Sequence, residues 1–372
     1  MVRYPTAVTS GTSVPPSPAP STLATPFARR RELERERFTL RLARRSVTVP
    51  IYLLSFVINT VGAPLFLTIA LAGDLARRRG TIFVRCMLGL WAYLAVEAFG
   101  LLLFLPMWIA SQGSEERRWA MHYWFARIWS RAVFWSLVRL FEVRVVVEGD
   151  EEAAKGPVLV FCRHVSPVDN LLAGVFLEGR HHLRLRWVMN SWLVRDPCID
   201  IVGHRLPSTF LTVGTREAPW QIAKVAALGD DLGPQDGVLM FPEGTLFTPK
   251  LLKRAVARIR RSGDEDAARV VEGYRHVLPP QLGGSLALLE RAPTADIVFC
   301  AHTGLEDGSY RAVLQGGLLR RELDIAFWRV PRAEVPEDAE GRAVWLREQW
   351  ARVDDWVEER RNRLGSEAAP EG

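Results

Sequence analysis

His164 and Asp169 stand five positions apart in Arg163-His164-Val165-Ser166-Pro167-Val168-Asp169, directly after the apolar run Val158 to Cys162. A neutral imidazole with a carboxylate fixed against one ring nitrogen can take a proton from a hydroxyl through the other, while the carboxylate stabilises the imidazolium that forms. Here the hydroxyl would belong to a substrate, and His164 and Asp169 are the candidate catalytic residues. Ser166 as N-cap and Pro167 at the first helical position would open a helix and curl Asp169 back towards the histidine. Ser166 to Asp169 is also a capping-box variant that needs no catalytic duty. The same spacing recurs at His302 and Asp307, so spacing alone does not single out a base. His302 reads as a chance repeat whose loss leaves most activity.

A second segment discriminates. Phe241-Pro242-Glu243-Gly244-Thr245 closes an apolar run that begins at Gly237 and precedes a helix that Thr248 and Pro249 would start as N-cap and first residue. A strand, a glycine turn and a helix N-terminus form a corner suited to an anion or a hydroxyl. Lys250, Lys253 and Arg254 would flank it, or form a solvated helix face. A serine hydrolase built on Ser166 is disfavoured, because Ser166 is two residues from His164 on one turn and no G-x-S-x-G elbow is present.

The elements that must position these residues begin near Val143. Short β-branched runs at Val143 to Val147, Val158 to Phe161, Trp187 to Met189, Gly237 to Phe241 and Asp296 to Ala301 alternate with helical stretches, an α/β pattern. Leu346, Trp350, Val353, Val357 and Leu364 recur at helical spacing and predict a C-terminal amphipathic helix with a polar tail.

Ahead of this region, residues 1–28 carry one charge and no apolar period, which predicts a disordered tail, and an arginine-rich run follows. Val49 to Gly73 holds 25 residues without a charge, and Cys86 to Ala110 another 25 with Glu97 as its one charge. Each exceeds the ~20 residues that cross a bilayer core. Arginines before, between and after the two runs conflict with a positive-inside arrangement. The alternatives are a spanning hairpin and one that enters and leaves the same leaflet, bent at Pro50 and Pro64. Trp119 to Phe141 mixes tryptophans with arginines, as an interfacial helix does, although a helix packed on the domain has the same composition. The predicted organisation is a disordered basic tail over 1–47, a membrane helical hairpin over 48–112, an interfacial helix over 113–142, an α/β domain over 143–335 and a C-terminal helix and tail over 336–372.

The 372 residues are 48% hydrophobic and 24% charged, with a net charge of +6 and four cysteines in no metal or disulfide spacing. Small scaffolds, disordered chains and zinc ribbons are excluded. Only four of the 48 basic residues are lysine, so the basic balance by itself names no partner.

Taken in order, Arg163-His164-x-Ser166-x-x-Asp169, Asp196-Pro197-Cys198-Ile199-Asp200-Ile201-Val202-Gly203 through Phe210-Leu211, Phe241-Pro242-Glu243-Gly244-Thr245 and Val277-Leu278-Pro279-Pro280 with Gly283-Gly284 resemble the glycerolipid acyltransferase family that includes the 1-acylglycerol-3-phosphate acyltransferases. The resemblance covers residues 143 to 305. It implies a mixed sheet flanked by helices, with His164 as the base where an acyl thioester meets a lipid hydroxyl. It also implies substrate contacts from Gly203, Phe210, Glu243, Gly244 and Thr245, while Arg205, Arg216 or Lys250 are the candidate stand-ins for two family arginines that this sequence lacks. The donor would be acyl-CoA or an acyl carrier protein, with membrane lipids as partners and the catalytic domain on the cytoplasmic side; no metal, prosthetic group or nucleic acid is implied. Two family arginines are replaced, by Val213 and Leu246, which weakens the case for a phosphomonoester acceptor. Those replacements motivate the rival reading, a catalytically silent lipid-binding scaffold of the same fold.

Overall fold

Val158–Cys162 has no charged side chain and is buried at every position, as a strand covered on both faces requires. In the computed structural model, which describes residues 36, 38–78, 80–212, 214, 218–306 and 310–367, this strand lies at the centre of a seven-stranded sheet. The helical N-terminal region comprises α1 (Phe38–Val61), α2 (Ala63–Arg77), α3 (Ile82–Ala110) and α4 (Glu115–Phe141). There follow β1 (Arg144–Glu148), α5 (Asp150–Ala153), β2 (Val158–Cys162), α6 (Asp169–Ala173) with a π-helical turn at Gly174–Gly179, β3 (Arg184–Asn190), α7 (Pro197–Gly203), β4 (Thr209–Leu211), α8 (Pro219–Ala226) and β5 (Asp236–Met240). The chain then forms α9 (Pro249–Ser262), α10 (Glu265–Glu272), α11 (Leu282–Arg291), β6 (Asp296–Thr303), α12 (Tyr310–Leu314), β7 (Glu322–Val330) and α13 (Ala339–Glu367).

The strand order is β1-β7-β6-β2-β5-β3-β4. β6 and β7 run antiparallel and the other pairs are parallel, so the sheet is mixed. Each of the five β-branched runs predicted from sequence falls on a strand, with Val143 and Phe241 one residue outside β1 and β5. β4 and β7 were not predicted: three residues are too few for a period, and β7 carries Asp324 and Arg329 within its apolar run. One core fills the face under α13 with Leu346, Trp350 and Val353, and these and Val357 are wholly buried as the period predicts. The side chain of Leu364 lies outside the described residues.

Three expectations need correction. Residues 38–47 are helical, part of α1, so the predicted 1–47 tail is too long; residues 1–35 lie outside the described residues. α4 is a packed helix more than an interfacial one: Val133, Phe134 and Phe141 enter the core cluster beside β2, while Trp124 and Ile128 stay exposed. Pro50 sits inside the unbroken α1, and the 71° bend falls at the α1–α2 junction beside Pro64.

α3 is the one described helix long and apolar enough to cross a membrane, and α1 with α2 passes the same test as a bent pair. The hairpin is nevertheless tied to the α/β domain along its length. Arg44 and Arg45 of α1 reach Asp200 of α7 at 2.7 and 2.6 Å. Arg85 at the start of α3 bonds the Leu140 carbonyl and Glu142. Midway along α3, Glu97 accepts from the Trp129 indole at 2.6 Å and from the Cys198 backbone N–H at 3.3 Å. Asp74 closes the turn, accepting from Phe83 N–H and Val84 N–H at 2.9 and 3.1 Å. All four cysteines are free.

Candidate active site

β2 and β5 are parallel neighbours in the register Phe161↔Met240, so the segments that follow them emerge side by side at their C-terminal ends, where parallel sheets place ligand crevices. The His164 backbone is tied to the second segment at both groups. Its N–H donates to Glu243 Oε1 at 2.9 Å, and its carbonyl accepts from Phe247 N–H at 2.7 Å. Its ring packs on Phe241, with centroids 4.3 Å apart.

Asp169 is wholly buried, and its Oδ2 accepts from Val165 N–H at 2.5 Å and Ser166 N–H at 2.8 Å. The same oxygen lies 3.4 Å from His164 Nδ1. A carboxylate there favours the Nδ1–H tautomer and leaves the Nε2 lone pair available. The predicted curl is thus present, with a different start. α6 begins at Asp169 and its cap position is Val168, so Ser166 is not the N-cap and Pro167 precedes the helix. The Ser166 hydroxyl accepts from Val168 N–H at 3.2 Å within the turn.

His164 lines a cleft of about 250 Å3 together with Gly244, Thr245, Leu246, Gln281 and an apolar wall that includes Val188, Met189, Trp192, Leu193, Leu211 and Met240. Gly244 has φ of +69°, and a Cβ there would come within 2.8 Å of Gln281, so the bend needs glycine. Glu243 does not face the cleft. It is buried, with Oε1 on His164 N–H and Oε2 on Leu278 N–H at 2.8 Å, so its place among the substrate contacts is corrected to that of a brace. Burial pushes its pKa up to about 8 against those two backbone bonds.

Gly203 and Phe210 form a layer behind the cleft. A Cβ on Gly203 would meet the Phe210 ring at 2.5 Å and Met189 at 2.8 Å, and Met189 is the member of that layer that reaches the cleft wall. Arg205 lies in the turn after α7, where its charge acts on His122, and is not part of the cleft lining. Arg216 and Val213 lie outside the described residues, as does Asp307. Lys250, Lys253 and Arg254 line a separate open groove along α9 of about 500 Å3.

Arg163, with no role assigned from sequence, is wholly buried. Its guanidinium donates to the His276 carbonyl at 3.2 and 3.0 Å, to the His302 carbonyl at 2.5 Å and to Glu306 Oε1 at 2.9 Å. Burial works to raise the Glu306 pKa, but the Arg163 charge and hydrogen bond hold it at about 2. Arg163 therefore braces the His164 turn from behind. Trp192, Leu193 and Gln281 in the cleft lining were also missed, since no motif marks them. Among the described residues, no cluster of metal-ligating side chains is present.

Residues 144–282, from β1 to the start of α11, match the family described as Acyltransferase. Among solved structures, the 1-acyl-sn-glycerophosphate (LPA) acyltransferase PlsC from Thermotoga maritima is similar over 74% of this chain and 96% of that chain, at 16% identity and a TM-score of 0.49. The search of curated proteins found no significant match. The matched segment contains β2, β5, the His164–Asp169 turn and the Glu243 brace. The α/β domain is thus similar to the Acyltransferase family over residues 144–282.

Proposed function

We propose that this protein is a membrane-bound O-acyltransferase that moves a fatty acyl group from an acyl thioester, of coenzyme A or an acyl carrier protein, to a hydroxyl of a lysophospholipid or related lipid acceptor. The observation that carries this reading is the His164–Asp169 pair opening into an apolar cleft, with Oδ2 3.4 Å from Nδ1. His164 Nε2 removes the acceptor hydroxyl proton as the oxygen attacks the thioester carbonyl carbon. The tetrahedral intermediate collapses, the carbon–sulfur bond breaks, and the thiolate takes the proton from the imidazolium. Asp169, fixed by two backbone N–H bonds, orients the ring and stabilises its cationic form. The apolar wall around Trp192 and Leu193 suits an acyl chain.

The hairpin is read as lying in one leaflet. A helix that crossed the bilayer would leave the domain's side, whereas α3 meets α4 at Arg85 and Glu97 and the domain's Cys198 at Glu97 and Met107. Its other face exposes Leu90, Phe99, Leu102, Leu105 and Trp108, an apolar strip suited to lipid.

The test is thiol release from acyl thioesters, with and without a panel of lysolipids in vesicles. Acceptor-dependent release, lowered roughly a hundredfold or more in His164→Ala, is the expected result. Acceptor-independent release would mean hydrolysis, and no release would mean a lipid-binding scaffold.

A further inference from the structure

Asp169 Oδ2 has its partners, but Oδ1 is buried without a hydrogen bond. His302 Nε2 lies 3.6 Å from Oδ1, and the two side chains are wholly buried. β2 and β6 are parallel neighbours in the register Cys162↔Cys300, and His302 stands two residues further along β6. His302 Nε2 also lies 3.1 Å from the Arg163 carbonyl oxygen. That oxygen can only accept, so the contact requires a proton on Nε2 and directs it to the space between the carbonyl and Oδ1. Arg163 Nη1 meanwhile donates to the His302 carbonyl, which locks the residue in place. Burial pushes the His302 pKa below its ordinary value, against the pull of Asp169, so the ring is a neutral donor.

We propose that His302 is a positioning residue for Asp169: its Nε2–H, shared between the Arg163 carbonyl and Oδ1, holds the carboxylate in the rotamer that turns Oδ2 to His164. The proposal rests on the reading of His164 as the base. It reverses the expectation that His302 is a dispensable repeat. A buried carboxylate oxygen without a donor is costly, and a carboxylate free to turn would lose its hold on the histidine tautomer.

The experiment compares His302→Gln, His302→Asn and His302→Leu in full-length protein in vesicles, with stability measured alongside. Leu and the shorter Asn lack a donor at Oδ1 and should lower kcat roughly 10–100-fold with KM changed less than threefold, while Gln, whose amide reaches as far as Nε2, should restore most of kcat. In an Asp169→Asn background the His302→Asn effect should disappear, since both act on one group. Wild-type kcat in folded His302→Asn, or an undiminished loss in the double variant, would overturn the proposal. Should the Leu variant fail to fold, the Gln and Asn pair still decides. Full activity in His164→Ala would instead overturn the underlying reading.

Discussion

Glu243 shows how one buried side chain can serve a site without touching substrate. Each carboxyl oxygen receives one backbone N–H, from His164 and from Leu278, so the residue joins the β2 turn to the segment before α11. In Glu243→Gln one of those N–H groups faces an amide NH2, and the unpaired donor should cost about 1–3 kcal/mol, read by denaturant unfolding, with a drop in kcat as the His164 backbone loosens. The folded pKa of about 8 stands above the ordinary 4.5, so the folded state binds the extra proton between these values. The stabilisation from this group is therefore fully present below 4.5 and lost as pH rises through 8. Unfolding free energy should fall more steeply over that window in the wild type than in Glu243→Gln, and superimposable curves would show the carboxyl to be ionised throughout. Glu178, also raised to about 8 by burial, contributes to the slope left in the variant. At the cleft itself, Leu246 stands in the lining as an apolar side chain. Leu246→Arg should raise activity towards phosphomonoester acceptors relative to diester ones, since a charge-assisted hydrogen bond contributes about 1.5–3 kcal/mol where well formed. Competition between lysophosphatidate and a diester lysolipid measures the change.

Among the elements, α3 is the most constrained by its neighbours. Gly100 lies where α3 approaches α4 and α7: a Cβ would be 2.6 Å from the Phe125 ring and 2.8 Å from Cys198 Sγ, and neither residue has room to withdraw. Glycine to alanine inside an exposed helix ordinarily stabilises by about 0.5–1 kcal/mol. Gly100→Ala should do the reverse, destabilising by about 1–3 kcal/mol through overpacking. Unfolding curves of the two proteins give the sign directly, and a stabilised variant would mean that α3 is not seated on the domain as described. α1 is held differently, through Arg44 and Arg45 on the buried Asp200. Burial works to raise that carboxyl, but hydrogen bonds from His204 and Arg45 bring it down to about 2. This attachment thus persists through the physiological range.

The whole molecule presents exposed apolar side chains along α1, α2 and α3, among them Leu54, Val57, Leu65, Ile69, Phe99 and Leu102. Protein reconstituted with vesicles should resist extraction by carbonate or high salt, and deleting residues 1–28 should leave attachment unchanged. The α2–α3 turn lies near Arg85, which bonds the end of α4. A cysteine at Arg78→Cys should therefore react with an impermeant thiol reagent from the same side as the α/β domain. Labelling from the opposite side alone would mean a spanning hairpin.

Strand positions in the α/β region, the buried face of α13 and the two motif segments were legible in the sequence because each rests on local order: a period, a glycine bend, a short spacing. The partnerships across the sheet were not legible. Nothing in the chain order says that β6 adjoins β2, and so His302 looked like a repeat when it stands beside Asp169. Nor does the type of residue reveal which way a side chain turns, and Glu243, placed by its motif in the cleft, faces inward because two backbone donors await it there. The composition of 82–110 fits a spanning helix and a half-packed one equally. Its contacts at Glu97 and Gly100 are made with residues close in space and distant in sequence, so only the tertiary fold determines them.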